Sequence, residues 1–156
     1  MDLCFTEKQG RFNVRVAALI ENDGKYLVID DRHALYEYLV GGRVKQFEDS
    51  LSAIKRELFE EINEIPASIN LCMVYESFFF ERTLKLNYHE IGYIYHVELD
   101  KNSPLLKQKE TILHGNRFSW KVIDKTLEPQ FIFEYIQKHG LPKQLVHLIS
   151  KEIESD

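Results

Sequence analysis

The chain has 156 residues, of which 44% are hydrophobic and 29% charged, and its formal net charge is −5. This length suits one compact domain, so we predict a single domain over residues 1–156. The acidic balance disfavours general binding to nucleic acid or to anionic membranes, and no apolar run is long enough to span a bilayer. Cys4 and Cys72 are the only cysteines. Because neither belongs to a C-x-x-C pair and no secretory signal pattern opens the chain, we expect two reduced thiols and a cytoplasmic protein.

The first third of the chain is predicted to be β-structure. Residues 11–21 and 25–30 are rich in β-branched and aliphatic side chains, and they flank Asn22-Asp23-Gly24, which is typical of a hairpin turn. Asp31-Arg32-His33 then interrupts the pattern. Residues 36–40 form a short predicted strand that runs into Gly41-Gly42, where two glycines allow unusual backbone angles.

A helix is predicted next. Asp49 or Ser50 can cap its start, Asn63 suits a left-handed residue at its end, and Pro66 excludes its continuation. Four apolar residues recur at the spacing of one helical face and are expected to face the core: Leu51, Ile54, Leu58 and Ile62.

The second half of the chain continues with strands and ends with helices. Residues 69–81 and 84–99 are predicted to form an antiparallel pair joined at Arg82-Thr83, residues 100–116 a loop, and residues 118–123 another strand. Pro129 is expected to open a helix through Lys138, and Pro142 a last helix. The order of strands, helix, strands and helix predicts an α/β (α+β) fold with a mixed sheet and helices on both faces.

Three acidic residues of the predicted first helix call for a cation. Glu57, Glu60 and Glu61 lie at i, i+3 and i+4, so their carboxylates share one helical face beside the apolar stripe. At about 6 Å and an effective dielectric near 20, each like-charged pair costs roughly 2–3 kcal/mol. Hard oxygen ligands at this density suit Mg²⁺ or Mn²⁺.

The residues around these acids carry a family resemblance. Gly42, Glu48, Arg56-Glu57, Leu58 and Glu60-Glu61 resemble, in order and spacing, the box of the Nudix hydrolases, which cleave nucleoside diphosphates linked to another group. The resemblance extends to Val40-Gly41-Gly42, where Val40 replaces the family's usual proline, to Trp120 in a late strand, and to the Pro129 helix. It implies an α/β/α sandwich around a central mixed sheet.

Two positions depart from the pattern of the box. Asn63 stands where the family has a closing glycine, and Glu64 stands where it has an aliphatic residue. Since Asn adopts the left-handed conformation more readily than β-branched residues do, we expect Asn63 to preserve the turn. We expect Ile65 to supply the apolar contact that Glu64 cannot.

The resemblance also implies residue roles. Glu57, Glu60 and Glu61 would bind Mg²⁺ (or Mn²⁺) together with the backbone carbonyl of Gly42, while Glu48 and Arg56 would form an ion pair that braces the acids. The general base stays open between Glu110, Glu90 and a glutamate of the box. For the substrate, Arg82 and Phe79 are candidate contacts to phosphate and base, although Phe78-Phe79-Phe80 also suits a buried strand.

The function implied by the resemblance is that of a Mg²⁺-dependent pyrophosphohydrolase. Its substrate would be a small nucleotide derivative: a dNTP, a nucleotide sugar, ADP-ribose or a dinucleoside polyphosphate. The alternative is a catalytically silent module of the same fold that senses nucleotides or binds a protein. Isomerase chemistry is a third reading, which would need Cys72 and a further acid at the cleft. Exposed aromatics on edge strands would allow a homodimer.

Overall fold

The computed structural model describes residues 1–30 and 36–153, so the interruption at Asp31-Arg32-His33 lies outside the described residues. The described residues form two α-helices, α1 (Ser50–Ile62) and α2 (Gln130–His139), and a short 3-10 helix at Pro104–Lys107. The described strands, in chain order, are β1 (Cys4–Glu7), β2 (Gly10–Asn22), β3 (Lys25–Asp30), β4 (Glu37–Arg43), β5 (Ser68–Glu81), β6 (Leu86–Glu98), β7 (Glu110–Leu113), β8 (Asn116–Lys121), β9 (Leu127–Glu128) and β10 (Val146–Lys151).

The strands form one mixed sheet in the order β10-β5-β6-β2-β4-β3-β8-β7, with β1 beside β2 and β9 beside β4. The pairs β2–β6, β5–β10 and β4–β9 are parallel, and the other pairs are antiparallel. The predicted antiparallel pair in the middle of the chain is therefore confirmed as β5 and β6. Strand β4 pairs with β3 over its first half and with β2 over its second half, which matters for the site described below.

Alternate residues of β2 enter two separate hydrophobic cores, one on each face of the sheet. On the first face Val16, Ala18 and Ile20 pack with α1. On the opposite face Ala17 and Leu19 pack with the residues of α2. The predicted α/β/α arrangement, with a helix on each face, is confirmed. Fully buried strand residues alternating in this way exclude solvent from both faces of the central strands.

Local sequence accounts for several boundaries of these elements. Asp23 and Gly24 have φ values of 54° and 77°, as a two-residue turn between antiparallel strands requires, and β2 and β3 pair on either side of them. The Asp49 side chain accepts a hydrogen bond from the backbone N–H of Ser52 at 2.7 Å and so caps α1. Asn63 ends α1 with φ 55° and ψ 42°, which confirms the predicted left-handed cap.

Two predictions for the second half of the chain are wrong. The segment after Pro142 contains β10, not a helix, because residues 146–151 alternate between half-buried and exposed positions and pair with the backbone of β5. Residues 100–116 are not a continuous loop, since they include the 3-10 helix and β7, which forms a hairpin with β8 around His114-Gly115. The helix that ends near His139-Gly140 is confirmed, with Pro129 at its N-cap.

Three expectations near α1 are also corrected. Gly41 and Gly42 lie inside β4 and do not have positive φ. Glycine matters at these positions because it has no side chain, and not because it adopts an unusual backbone angle. Leu51 is 40% exposed and does not face the core. Ile65 is 80% exposed, whereas Glu64 is buried and accepts a hydrogen bond from the hydroxyl of Ser103. The buried polar pair replaces the apolar contact expected after the helix.

The two cysteines are free thiols, with Cys4 half-buried and Cys72 buried in β5. Burial raises the pKa of the Cys72 thiol to about 11, so this thiol is not activated as a nucleophile. None of the helices formed by residues 1–30 and 36–153 combines the length and apolar character needed to cross a membrane.

The left-handed cap yields a prediction about stability. Asn63→Ala should lower the free energy of unfolding by about 1 kcal/mol, because alanine tolerates positive φ less well than asparagine. Asn63→Gly should leave it unchanged or raise it. Urea unfolding of both variants, with the exposed helix variant Lys55→Ala as control, measures the difference. A glycine variant less stable than the alanine variant would contradict this account of the turn.

Candidate active site

The site is built where α1 crosses β4 at two glycines. A Cβ atom on Gly42 would lie 2.3 Å from Oε1 of Glu57, and one on Gly41 would lie 2.1 Å from the carbonyl oxygen of Val16. Neither position can therefore carry a side chain without displacing its neighbours. Because the side chain is missing at Gly42, the Glu57 carboxylate lies directly against the strand and is largely removed from solvent.

The guanidinium of Arg56 connects the acids of α1 with the loop before it. Its Nε and Nη2 donate to the two carboxylate oxygens of Glu48 at 2.7 and 2.9 Å, which is a bidentate pair. Its Nη1 donates to Glu57 Oε1 at 2.8 Å and to Glu60 Oε2 at 3.3 Å, and Nη2 also reaches the carbonyl oxygen of Arg43 at 3.1 Å. The ion pair expected between Glu48 and Arg56 is thus present.

This pair changes the ionisation of both partners. The hydrogen bonds from Arg56 lower the pKa of the Glu48 carboxyl to about 2, while the contacts to Glu48 and Glu57 raise the pKa of the Arg56 guanidinium. Both groups therefore remain charged throughout the physiological range. The loop that contains Glu48 is held to the helix by a permanent ion pair.

Glu61 is the acid that Arg56 does not reach. Its Oε2 is buried and has no hydrogen-bond partner within the described part of the chain. Burial and the neighbouring charge of Glu57 raise the pKa of Glu61 to about 7, and Arg15 and the backbone of Gly41 oppose this rise. A buried carboxylate oxygen beside a second carboxylate is energetically unfavourable unless a proton or a cation occupies the space.

The donor set fits a hard divalent cation, although the side chains do not converge as a finished site. Among residues 1–30 and 36–153, no group of three or more His, Cys, Asp or Glu side chains is arranged to hold a metal ion. Glu60 is more than half exposed and turned toward Arg56, whereas Glu57 is buried and Glu61, beside it, is half-buried. Glu57 and Glu61 could hold a cation together, and Glu60 could join them by leaving Arg56.

The two further candidates for the general base lie in different surroundings. Glu110 is the exposed first residue of β7, three strands from β4 in the sheet order. Glu90 is buried in β6, where its Oε2 accepts a hydrogen bond from the hydroxyl of Tyr75 at 2.6 Å and its Oε1 lies 4.0 Å from Nε of Arg15. The partners of Glu90 are Tyr75 and Arg15, and neither of them is an acid of α1.

The predicted substrate residues lie at the far end of the β5–β6 hairpin. Arg82 is exposed in the turn that joins the two strands. Phe79 is half-buried and stacks on Tyr88 with ring centroids 5.0 Å apart, while Phe78 stacks on His89 on the opposite face. The expected alternation of the phenylalanines is confirmed. The structure does not bring Arg82 or Phe79 into contact with the acids of α1.

Sequence reasoning missed Arg15 as a residue of this region. Arg15 lies opposite Arg43 in the β2–β4 pair, one residue from the pair formed by Val16 and Gly42, and its charge lowers the pKa of Glu61. The available signal was the alternation of polar residues at Arg11, Asn13 and Arg15, which places all three on one face of β2.

A family model described as NUDIX domain matches residues 11–135. A mutator MutT protein from Bacillus halodurans has a similar structure, with a TM-score of 0.61, 15% identity and coverage of 88% of this chain and 89% of that one. A NUDIX hydrolase from Nitrosomonas europaea gives a TM-score of 0.59, 18% identity and coverage of 94% and 81%. Comparison with curated proteins found no match.

Removing the charge of Glu61 by substitution with glutamine should raise the free energy of unfolding at high pH. Its folded pKa lies above the ordinary value of 4.5, so the metal-free protein should lose stability as pH rises from about 4.5 to 7. Glu61→Gln lacks this loss and should exceed wild type by up to about 3 kcal/mol at pH 8, with no difference at pH 4. Denaturant unfolding in a chelator measures both values, and equal stability at pH 8 would refute the assignment.

Proposed function

Because the chain belongs to the Nudix family of hydrolases, we propose that it is a Mg²⁺-dependent pyrophosphohydrolase that cleaves a phosphoanhydride bond in a nucleoside diphosphate derivative. Mn²⁺ would replace Mg²⁺ with the same oxygen ligands. The observation that carries the proposal is the buried, unpartnered oxygen of Glu61 next to Glu57, where a divalent cation would remove an electrostatic penalty. The substrate would supply the remaining negative charge.

The ligand roles follow from the positions of the acids. We assign Glu57, Glu60 and Glu61 as the metal ligands, with the backbone carbonyl of Gly42 beside them. A bound divalent ion would neutralise the diphosphate and lower the pKa of a coordinated water. Glu61, which shares its surroundings with Glu57, would give up its proton when the ion binds, so binding would strengthen as pH rises toward 7.

The remaining residues of the box position these ligands. Arg56 holds Glu48 in a bidentate pair and reaches the carbonyl of Arg43, so it fixes the loop and the end of β4 relative to α1. Its contacts to Glu57 and Glu60 limit the directions in which these carboxylates can move. We therefore assign Glu48 and Arg56 as positioning residues.

For the general base we favour Glu110 or a glutamate of the box over Glu90. A base must reach the attacking water within hydrogen-bonding distance. Glu110 is exposed and its strand lies at the edge of the sheet, so it is accessible to a bound substrate that extends across β3 and β8. Glu90 already accepts a hydrogen bond from Tyr75 in a buried position, which suits a structural acid better than a base that exchanges protons.

A substrate panel tests the reaction. Purified protein with Mg²⁺ should release a nucleoside monophosphate, inorganic phosphate or pyrophosphate from at least one of the dNTPs, ADP-ribose, nucleotide sugars and dinucleoside polyphosphates. Glu60→Gln and Glu61→Gln should each reduce kcat by about 100-fold or more, because loss of a ligand weakens charge stabilisation. Glu134→Gln, an exposed acid on α2, is the matched control and should retain activity. Full activity of Glu61→Gln would rule out its role as a ligand.

The metal can be tested without turnover. Mg²⁺ should raise the midpoint of thermal unfolding of the wild type at pH 8. The rise should be much smaller for Glu57→Gln and Glu61→Gln, since a ligand that binds only the folded state stabilises that state.

The alternative function, a silent nucleotide-binding module, is supported by the ion pairs of Glu57 and Glu60 with Arg56. Nucleotide binding with no turnover in the presence of any divalent ion would establish that alternative.

A further inference from the structure

Two arginines lie side by side on the face of the sheet opposite α1. Arg15 of β2 pairs with Arg43 of β4 in the antiparallel register, and the next pair along is Ala17 with Gly41. Side chains directly opposite one another in such a pair point to the same face, and two like charges there destabilise the sheet. Ala17 belongs to the core under α2, so both arginines extend from the α2 face.

Little negative charge lies near these arginines. Among the described residues, the only carboxylate oxygen within 4.0 Å of either guanidinium is Oε1 of Glu90, at 4.0 Å from Nε of Arg15. That separation is too long for a hydrogen bond. The chain has 25 acidic and 20 basic residues, so the lack of a carboxylate beside Arg43 does not reflect a shortage of acidic residues. Arg15 is thus compensated only in part, by Glu90, and Arg43 has no paired carboxylate among the described residues although the protein as a whole is acidic.

Glu90, the carboxylate nearest Arg15, is held in place by its own contacts. It is buried, it pairs with Asn13 across β2 and β6, and it accepts the hydroxyl of Tyr75 at 2.6 Å. Tyr75 in turn lies over Gly92, where a Cβ atom would come within 1.9 Å of its ring. Since its surroundings immobilise it, Glu90 can orient Arg15 without neutralising Arg43.

A buried polar group next to the arginines also lacks a partner. Asn13 lies on the same face of β2 as Arg15, two residues away, and is 1% exposed. Its amide oxygen has no hydrogen-bond partner in the part of the chain that the structure describes. An unsatisfied buried amide oxygen is destabilising, and a bound polar group or an ordered water would relieve this cost.

The arginines and the acids of α1 are separated by one strand with an open edge. Strand β4 pairs with β3 through Leu39 and with β2 from Val40 to Arg43, so between Val40 and Arg43 its second edge has no paired strand among the described residues. Gly41 and Gly42 occupy this part of the strand and present no side chain to either face.

We propose that Arg15 and Arg43 bind a phosphate of the substrate beyond the diphosphate engaged by the acids of α1, which selects nucleoside triphosphates and longer polyphosphates over nucleotide sugars. The polyphosphate would cross the open edge of β4 at the two glycines. Arg43 is suited to this role because its carbonyl is held by Arg56, so its backbone is fixed relative to the acids. This proposal rests on the proposed function and concerns only the class of substrate.

The test compares two substrates in variants of the arginines. Arg43→Gln should lower kcat/KM for a nucleoside triphosphate by about 10-fold or more, mainly through KM, and change kcat/KM for ADP-ribose by less than about 2-fold. Arg15→Lys should retain more of the triphosphate activity than Arg15→Gln. Lys138→Gln on α2, which removes one exposed positive charge elsewhere, is the control. Equal losses with both substrates would overturn the proposal.

Direct binding separates this proposal from the proposed function. Inorganic tripolyphosphate, measured by calorimetry with Mg²⁺ present, should bind the wild type and bind Arg43→Gln about 10-fold more weakly. Arg43 leaves no paired acid behind when it is replaced, so this variant should fold. If the wild type hydrolyses no substrate yet shows this loss, the anion site stands and the hydrolase assignment fails. Unchanged binding of tripolyphosphate in both Arg43→Gln and Arg15→Gln would refute the site.

Discussion

The guanidinium of Arg56 is the interaction on which the site depends. It bonds the carboxylate of Glu48 in the loop, the carboxylates of Glu57 and Glu60 on the helix, and the carbonyl of Arg43 at the end of β4. A single rigid, permanently charged group thus joins three segments of the chain. Without it, the loop would lose its attachment to α1, and Glu57 and Glu60 would lose their hydrogen bonds to a positive charge.

The same arrangement leaves one acid, Glu61, without a contact to Arg56. Arg56 lies on the side of α1 that Glu61 does not share, so the Glu61 carboxyl is buried against Glu57 with an unpartnered oxygen. The protein therefore tolerates a local loss of stability at the residue pair that we propose as metal ligands. Such losses are common at functional sites, where the folded chain alone does not satisfy the groups that a ligand will satisfy.

Glycine determines how close these groups can come. At Gly42 the carboxylate of Glu57 takes the position of a side chain, and at Gly92 the ring of Tyr75 does the same on the other face. The first contact brings an acid to the strand, and the second involves the tyrosine that donates a hydrogen bond to Glu90, whose Oε1 lies 4.0 Å from Nε of Arg15. Strands β4 and β6 flank β2, and the close approach occurs on opposite faces of the sheet. Acidic and basic groups therefore lie on the two faces of the sheet beside β4. A linear anion that crosses the edge of β4 would meet both.

Much of the fold was determined by local signals in the sequence. The hairpin at Asp23-Gly24, the capping of α1 by Asp49 and Asn63, and the alternation in β5 and β6 each follow from residue types at fixed spacing, and the structure contains all of them. These features need only the geometry of one element or turn. The ion pair between Glu48 and Arg56 was expected from the resemblance to the Nudix box, and the structure contains it.

Only the tertiary structure decided the rest, because the deciding partners are distant in the chain. Residues 146–151 form a strand since β5 offers them an unpaired edge, and their apolar spacing alone did not exclude a helix. Glu64 can be buried because the hydroxyl of Ser103 donates a hydrogen bond to it, and Glu90 is held in place because the hydroxyl of Tyr75 donates to it. The register of β2 with β4, set by the packing of both strands, brings Arg15 beside Arg43. No local pattern in the sequence contains that pairing.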